Sequence, residues 1–503
     1  MVIVLLSLIR IENSYSQIQQ DWARRYGGTD YDAGYSICAD DSGNVYVTGT
    51  SEIPVGYKCV TIKYNKYGDS LWVREYQRPG NNYNLGNDIK LDDSCNVYVA
   101  GAESVLKYDQ NGNLKWTAYH QANYVKLVLD TLGNIYAAGI GSGRYVVAKY
   151  DWNGNNYWVN RMPGAFHIKG LVLDNNQNIL ITAEANYNVT GYDYTTIKYS
   201  NAGDVIWIRR YNGLAENSSD FPGEIATDVQ SNVYVTGASE DLSHTFNCTT
   251  VKYDSSGNTI WIKRIFPPSN GQDIAVDKSH NVYIVSRSTG NNYAIKLDPD
   301  GNLVWMRTYP TTDLYPPNHL VLLLDSVNNV YTTANIDSNH YTRYGVIKYD
   351  NKGNQLYVLQ YSGRLTGFNY VYDMAIDKSG SVYVTGTSQG FMTYYDYATI
   401  KYSPVLTGIG NYNFNPLKYS LSQNFPNPFN PETRISYSIP KSGFVKIIVY
   451  DISGKEMDIL VNEMKQAGTY NLEFNGSNFA SGVYLYRLES SDFVQTNRML
   501  LIK

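Results

Sequence analysis

The stretch Asp40–Gly49, DDSGNVYVTG, is the first copy of a pattern that recurs along most of the chain. It has an Asp, three variable residues, an Asn and then alternating apolar and small residues. The β-branched and aromatic residues, bounded by Gly, Asn and Asp, are typical of a short strand that follows a tight turn. Later copies have their Asn, or a Ser in its place, at Asn96, Asn134, Asn178, Asn232, Asn281, Asn329 and Ser381.

Three other patterns accompany the copies. A short apolar segment ending in Asp precedes most of them, a T-I-K-Y-D-type segment follows, and an aromatic residue then opens a basic segment. Four short strands per unit, at a period of about 48 residues, predict one propeller blade. The lysines are Lys63, Lys107, Lys149, Lys198, Lys252, Lys296, Lys348 and Lys401, and the aromatic residues are Trp72, Trp116, Trp158, Trp207, Trp261, Trp305 and Tyr357. The fold class predicted is therefore all-β, an eight-bladed β-propeller over residues 17–403, with seven blades as the alternative.

The eighth aromatic residue of this set lies at the other end of the chain, at Trp22 in WARRY. The last unit ends after its third segment, 399–402. We therefore expect the N-terminal strand 22–26 to complete the last blade as its outer edge, which leaves no open seam. Because the lysines and tryptophans occur in almost every unit, we interpret them as structural. The lysine stems should lie along blade faces with their heads solvated or paired, and the Trp rings should pack between blades.

The loops predict where a ligand binds. Two of the four connections in each unit are short and alike, whereas the other two are long, differ in every unit and should share one face of the disc. Variable loops on a rigid scaffold are where binding usually occurs, and Tyr and Asn are well suited to it. The candidate binding residues on this face are Tyr187, Tyr192, Asp193, Asp220, Phe221, Tyr315, Phe368, Tyr370, Tyr394, Tyr395 and Asp396.

Acids also open several inner strands, at Asp88, Glu224, Asp273 and Asp373. They either ring the channel mouth and attract a cation or polar ligand, or satisfy backbone amides of the inner strands. The sequence leaves both roles open.

Motifs for catalysis, metals or cofactors are weak. The six histidines have no metal-ligand spacing, and 298–302 (DPDGN) resembles a calcium loop only superficially, without the downstream Glu. The segment 386–390 (GTSQG) fits a nucleophile elbow, but the repeat itself explains it. Cys38, Cys59, Cys95 and Cys248 show neither a disulfide framework nor metal spacing. We expect no metal, no cofactor and four semi-buried thiols.

Composition narrows the function classes. The net charge is −5, charged residues are 17% and there is no basic block, which argues against nucleic-acid binding. Hydrophobic residues are 43%, which excludes wholesale disorder. The apolar run 2–9 is too short to span a bilayer but suits a signal peptide, predicted over residues 1–16, and no membrane span is expected elsewhere.

The repeat stops at Tyr402, and a different composition follows. Residues 404–418 are interpreted as a linker, and 419–503, with alternating apolar residues and turn dipeptides, as a small β-sandwich. Its motifs FPNPF (425–429), VYDISGKE (449–456), SGVYLYRL (481–488) and the terminal MLLIK (499–503) closely resemble the C-terminal sorting domain, type A, of the bacterial type IX secretion system. The resemblance implies export across the outer membrane to the cell surface or medium, with the secretion machinery as a partner.

The repeats resemble the bacterial SBBP β-propeller repeat, D-x-x-G-N-x-Y-V-T-G, which implies no one activity. Departures are Leu180 in place of Tyr, Leu297 in the K-Y motif, and Tyr357 in place of Trp. The leading hypothesis is a secreted or surface-attached binding or adhesion protein for extracellular polysaccharide or a surface protein. The alternative is a polysaccharide lyase or hydrolase, which needs acids such as Asp193, Asp220, Glu240, Asp313 or Asp396 to converge. A quinoprotein relationship is weaker, because the adjacent cysteine pair is missing.

Overall fold

The computed structural model describes residues 15–28, 30–186, 191–214, 218–311, 320–338, 341–363, 367–390, 394–406, 419–424, 426–465, 468–491 and 493–503. All regular elements in these ranges are β-strands, and none of the ranges holds a helix long and apolar enough to cross a membrane. Two compact units are present, and the first is Tyr15–Leu406.

Seven antiparallel sheets make up the described part of this first unit. Strand β1 is Tyr15–Tyr26, and the next sheet holds β2 (Asp32–Ala39), β3 (Val45–Ile53), β4 (Gly56–Tyr64) and β5 (Ser70–Tyr76). A six-stranded sheet follows, with β6 (Gly86–Leu91), β7 (Val97–Tyr108), β8 (Leu114–Leu129), β9 (Ile135–Gly141), β10 (Arg144–Tyr150) and β11 (Asn156–Pro163).

The remaining sheets of this unit are four-stranded. They are β12 (Ala165–Leu173), β13 (Ile179–Asn186), β14 (Tyr192–Tyr199) and β15 (Val205–Tyr211); then β16 (Asp220–Thr227), β17 (Val233–Glu240), β18 (Phe246–Tyr253) and β19 (Thr259–Ile265). Next are β20 (Asn270–Val276), β21 (Val282–Ser288), β22 (Asn291–Leu297) and β23 (Leu303–Pro310), and β24 (Leu322–Leu324), β25 (Val330–Ser338), β26 (Tyr341–Tyr349) and β27 (Gln355–Tyr361). The last holds β28 (Asn369–Ile376), β29 (Val382–Gln389) and β30 (Tyr395–Leu406), with β1 beside β30.

The six-stranded sheet covers two copies of the sequence repeat. The first part of β7 pairs with β6, and Ser104–Tyr108 pair with the first part of β8. The second part of β8, from Asn123, pairs with β9. The expectation of four separate strands per unit is therefore not met here, because β7 carries the second and third segments of one unit and β8 carries the fourth segment of that unit and the first of the next.

The repeated Asp, Asn and Tyr form one hydrogen-bonded turn. The Asp40 carboxylate accepts the Asn44 backbone amide at 2.9 Å, the Asn44 side-chain amide at 2.7 Å and the Tyr46 hydroxyl at 3.0 Å. The side chain thus caps the turn and fixes the Tyr ring, which is fully buried. The same Tyr-to-Asp bond recurs at Tyr98, Tyr136, Tyr234, Tyr283, Tyr331 and Tyr383.

The repeated Trp and Lys join neighbouring units. Trp72 Nε1 and Lys63 Nζ both donate to the Gln110 carbonyl, at 3.2 and 3.1 Å, in the next unit's turn. This confirms that the Trp rings pack between units. Of the two states expected for the lysine heads, solvated or paired, these contacts favour the paired one, since Lys63 is buried and its Nζ lies 4.9 Å from the Tyr46 ring centre. The same shared carbonyl recurs at Trp152, Asn201, Ser255, Pro299 and Asn351.

Strand β1 is longer than the predicted strand 22–26 and lies along β30. Trp22 is opposite Lys401, and Tyr26 is opposite Tyr397. Trp22 Nε1 and Lys401 Nζ both donate to the Lys66 carbonyl, at 3.1 and 3.2 Å. The last sheet is therefore joined to the first by the contact that joins units adjacent in sequence.

The second compact unit contains two sheets. One is β31 (Ser420–Leu421), β32 (Glu432–Ile439) and β35 (Gly468–Asn475); the other is β33 (Gly443–Asp451), β34 (Glu456–Lys465), β36 (Gly482–Ser490) and β37 (Phe493–Leu501). Alternate residues of both sheets enter one shared core, for example Ile435, Phe474, Ile447 and Tyr486. The period-2 pattern in the sequence reflects this arrangement.

Candidate functional site

The predicted loop-face residues separate into buried acids and aromatic residues. Asp193 and Asp220 are fully buried, and the ion pair of Asp396 with Arg25, 2.8 Å, is largely buried. Asp193 accepts a hydrogen bond from Arg210 Nε at 2.7 Å, and Asp220 accepts the Gly213 amide at 2.7 Å. Burial raises the pKa of Asp220 above its ordinary value. These three acids anchor loop ends, a different role from the ligand contact expected of them.

Glu240 also makes contacts that hold loop residues in place. Its carboxylate accepts the Ser219 amide at 3.1 Å and contacts His244 Nδ1 at 2.8 Å. Each of the four described acids, Asp193, Asp220, Glu240 and Asp396, thus has a partner in its own loop or in a neighbouring strand. Tyr187, Asp313 and Tyr315 lie outside the described residues.

The predicted aromatic residues meet partners across the boundaries between units. Tyr192, at the start of β14, lies 5.6 Å from the ring of Phe221 in β16. Tyr395, at the start of β30, lies 5.9 Å from Tyr31, which precedes β2. Tyr57 and Tyr83 form a third such pair at 5.9 Å. Because all three join the start of a third strand to the beginning of the next unit's first strand or to the segment just before it, they lie on the face that carries the variable loops.

One cavity of about 340 Å³ opens beside Phe221. Phe221 and Phe246, with ring centres 5.8 Å apart, form part of its wall. Lys169, Glu184, Asn270 and Gln272 supply polar groups, and Pro222, Gly223, Ala238 and Gly271 complete the lining. The cavity combines an aromatic wall with convergent polar side chains, which is typical of a small-ligand site.

Charges in this cavity are paired. The Glu184 side chain is nearly buried, and its two oxygens contact Lys169 Nζ at 2.9 Å and His167 Nδ1 at 2.8 Å. His167 is 66% exposed and lies at the edge of β12. Lys169, Glu184 and Phe246 were missed by sequence reasoning, because Lys169 and Glu184 come from one unit and Phe246 from the next, and none belongs to a repeated motif.

The inner-strand acids satisfy backbone amides. Asp88 accepts the amides of Ile89 and Leu127, at 2.9 and 2.7 Å, and so joins its own inner strand to that of the next unit. Asp273 does the same for Ile274 and Leu322, at 2.7 Å each. Asp373 accepts the amides of Met374 and Ile37, at 2.8 and 2.9 Å. Of the two roles left open by the sequence, these contacts favour the structural one.

Glu224, the fourth of the inner-strand acids, makes different contacts from Asp88, Asp273 and Asp373. It accepts the Ile225 amide at 3.1 Å and forms an ion pair with Lys126 at 2.7 Å. The Lys126 pKa would be lowered by burial, but Glu224 raises it above the ordinary value. Burial, followed by the Glu224 charge, raises the pKa of Asp273 to about 7.

The next features are the possible metal ligands and the cysteines of the described residues. Their His, Cys, Asp and Glu side chains form no group of three suited to a metal ion. The Asp298 carboxylate accepts the amides of Asp300 and Asn302, as in the other turns. All four cysteines are free, and burial raises the pKa of the Cys59 and Cys248 thiols, to about 11 and 12.

Comparisons with known proteins agree with these two units. Residues 423–503 match the secretion system C-terminal sorting domain, and residues 21–53 match a β-propeller repeat of the SBBP type. The C-terminal residues thus match the type IX sorting domain, and a segment near the N-terminus matches one β-propeller repeat. The chain is accordingly an exported protein of the cell surface or extracellular space.

Several solved structures are similar in fold. Sqt1 from Chaetomium thermophilum has 10% identity and a TM-score of 0.50, and the match covers 77% of this chain and all of that one. A streptogramin B lyase structure has 11% identity and a TM-score of 0.40, with coverage of 75% and 97%. A Bacteroides caccae protein of unknown function has 11% identity and a TM-score of 0.33, with coverage of 52% and 94%. At such identities the likeness concerns the fold alone. A comparison with curated proteins finds no match.

Proposed function

We propose that this protein is an exported propeller that binds a neutral extracellular glycan in the cavity beside Phe221. One observation carries the proposal: Phe221 and Phe246 share a cavity with Lys169, Glu184, Asn270 and Gln272. Aromatic rings offer flat apolar surfaces to the C–H faces of a sugar, and side-chain amides and ion-paired groups can exchange hydrogen bonds with its hydroxyls.

The pairing of the charges favours a neutral ligand. Lys169 and Glu184 neutralise one another at 2.9 Å, and behind them Lys126 pairs with Glu224 at 2.7 Å. An anionic or cationic ligand would have to compete with these existing pairs. A neutral ligand can use their remaining donors and lone pairs without separating them. The cavity lining holds one carboxylate, Glu184, whereas a glycoside hydrolase typically uses two. Binding without turnover is therefore the favoured reading.

The scaffold we propose for this site is a closed ring of eight units. Dividing β8 between two units gives eight repeats in all. Closure is supported by Trp22 and Lys401, which donate to Lys66 as other units donate to their neighbours. Tyr397 also donates to the Val60 carbonyl at 2.9 Å, and Asp373 accepts the Ile37 amide at 2.9 Å. A ring would hold the cavity rigid and its loops on one face.

We propose a maturation that rests on the apolar segment within residues 1–16 and on the C-terminal sorting domain. Residues 1–16 are a signal peptide and 419–503 the sorting domain that engages the type IX machinery at the outer membrane. The linker predicted over 404–418 is shortened at its start, because 404–406 pair with β1 as the end of β30. Removal of residues 1–16 would leave Gln17 as the first residue of β1, where it is opposite Val405. The glycan-binding unit would then remain at the cell surface or in the medium, where extracellular polysaccharide is found.

Binding is tested on the purified full chain with a panel of soluble polysaccharides that includes xyloglucan, galactomannan and alginate. We expect a neutral polymer to bind and the acidic alginate to bind more weakly or not at all. Phe221→Ala should weaken binding about tenfold or more, which corresponds to about 1.4 kcal/mol. Tyr67→Ala is the matched control, because Tyr67 is 67% exposed in a short turn between β4 and β5.

Reducing ends are measured in the same samples. Absence of binding across the neutral polymers, or unchanged binding by Phe221→Ala, would refute the proposed site. Release of reducing ends or unsaturated products would replace the binding function with an enzymatic one.

A further inference from the structure

A second aromatic surface lies away from the Phe221 cavity, where the first and last sheets meet. The rings of Phe368 and Tyr370 are parallel to within 4° with centres 6.3 Å apart. Tyr370 is 6.1 Å from Tyr395, and Tyr395 is 5.9 Å from Tyr31. We call these four residues the aromatic row. Successive ring centres are about equally spaced, and all four side chains are half-buried, so part of each ring is accessible.

The row crosses the junction between the two ends of the propeller repeats. Phe368, Tyr370 and Tyr395 belong to the last sheet or its margin, whereas Tyr31 precedes the first strand of the first sheet. The backbones of Tyr31 and Tyr395 also form an isolated parallel bridge. A ligand that covers the row therefore contacts both sheets at once.

Charges beside the row are already engaged. Arg25 and Asp396, next to Tyr395, pair at 2.8 Å with both side chains largely buried. The Glu52 carboxylate accepts the Tyr31 amide at 3.0 Å. The row therefore offers the accessible parts of half-buried aromatic rings, in a setting where neighbouring ionic groups have partners. This chemistry matches a chain of neutral sugars, which offers apolar ring faces and hydroxyls, better than it matches a charged polymer.

We propose that the aromatic row is a second binding surface for the same neutral polysaccharide, and that its occupation holds the first and last sheets together. For the class of ligand, this proposal rests on the proposed function. Two sites on one rigid unit let a long polymer bind with higher apparent affinity than a short oligosaccharide, if the polymer reaches both. A ligand that binds only the joined state stabilises it.

Hydrogen exchange of the full chain, with and without xyloglucan or galactomannan, separates the two sites. We expect the polymer to slow exchange in β1 and β30 several-fold, and to do so in Phe221→Ala as well. In Tyr370→Ala this protection should be lost, while protection near β16 and β18 is kept. Tyr83→Ala is the matched control, because Tyr83 is exposed but belongs to a different junction.

Failure of each proposal has its own signature. If the polymer protects β16 and β18 but leaves β1 and β30 unchanged, the row is not a binding surface and the proposed function stands. If Tyr370→Ala removes all protection while Phe221→Ala removes none, the result supports the aromatic row as a binding surface. It then refutes the Phe221 cavity as the glycan-binding site. If neither region is protected by any neutral polymer, both proposals fall.

Discussion

Lys198 Nζ lies 2.7 Å from Asp174 Oδ2, and both side chains are almost completely buried, at 3% and 0% exposure. This pair occurs in the repeat whose Tyr is replaced by Leu180. In the other units a Tyr hydroxyl donates to the turn Asp, as Tyr46 does to Asp40 at 3.0 Å. Lys348 also approaches its turn Asp325, but at 3.5 Å and beside a Tyr331 hydroxyl that donates to the same carboxylate. In the Leu180 unit the closer lysine therefore supplies the partner that the missing hydroxyl would have provided.

Lys198→Met should destabilise the protein much more than the same change at a lysine whose unit keeps its Tyr. Removing Lys198 leaves the buried Asp174 carboxylate without its cation, a situation that typically costs about 3–5 kcal/mol. Lys63→Met removes mainly a hydrogen bond to the Gln110 carbonyl, which is worth about 1 kcal/mol. Urea unfolding of the two variants measures the difference. Equal losses would show that the Lys198–Asp174 pair is not special.

The glycine of the outer turn should be irreplaceable because a Trp ring lies against it. Gly112 has a φ of +78°, and an added Cβ would lie 2.8 Å from Trp72 Cδ2. Gly80 has a φ of +79° but open space around it. Both Gly→Ala variants incur about 1–2 kcal/mol for the left-handed backbone, and Gly112→Ala adds about 1–3 kcal/mol of steric conflict. Thermal unfolding should rank Gly112→Ala clearly below Gly80→Ala, and a reversed or equal ranking would contradict this packing.

The repeating core was predictable because its signal is local. Asp40, Asn44 and Tyr46 lie within seven positions and are joined to one another, so the motif contains its own hydrogen bonds. The cavity beside Phe221 was not predictable in the same way. Lys169 comes from β12, Phe246 from β18 and Asn270 from β20, and only the folded arrangement of three sheets brings them to one place.

The ion pairs of the buried loop acids could have been predicted from the sequence, but only by comparing several units with one another. Asp193 pairs with Arg210, and Asp396 pairs with Arg25, at matching places in their units. In the first sheet the same two places hold Lys58 and Glu75, paired at 2.8 Å with the charges exchanged. Alignment of the units against one another would have shown this exchange. The exchange of charges indicates that each of these acids pairs with a basic residue on the adjacent strand.

Asp273 should make stability fall as pH rises through neutrality. Its pKa is about 7 in the folded protein, against 3.8 ordinarily, because burial and the Glu224 charge disfavour the ionised form. Between these two values the folded state holds a proton that the unfolded chain releases, so raising the pH favours unfolding. The free energy of unfolding of the natural protein, relative to Asp273→Asn, should therefore decrease between pH 5 and pH 8.

Asp277→Asn is the control for this pH dependence. Burial tends to raise the Asp277 pKa, but hydrogen bonds from Asn281 and Tyr283 lower it below the ordinary value. The natural protein should lose stability relative to this variant as pH falls below about 4, the opposite sign. A flat difference between pH 5 and pH 8 for Asp273→Asn would show that Asp273 stays ionised in the folded state.

Strand β1 should be needed for the integrity of the last sheet, although it is far from it in sequence. Its residues pair with β30 from Tyr26 opposite Tyr397 onwards, and Trp22 lies in the core that the first and last sheets share. Without β1, the edge of β30 and the Trp22 site would be exposed, and unpaired edges promote association between chains. A protein beginning at residue 27 should therefore unfold at lower urea and aggregate, whereas one beginning at residue 15 should behave as the full chain. A synthetic peptide of residues 15–26, added in trans, should restore part of the lost stability, and a peptide with Trp22→Ala should restore less. Identical unfolding of the two shortened proteins would show that the pairing of β1 with β30 contributes little to the stability of the fold.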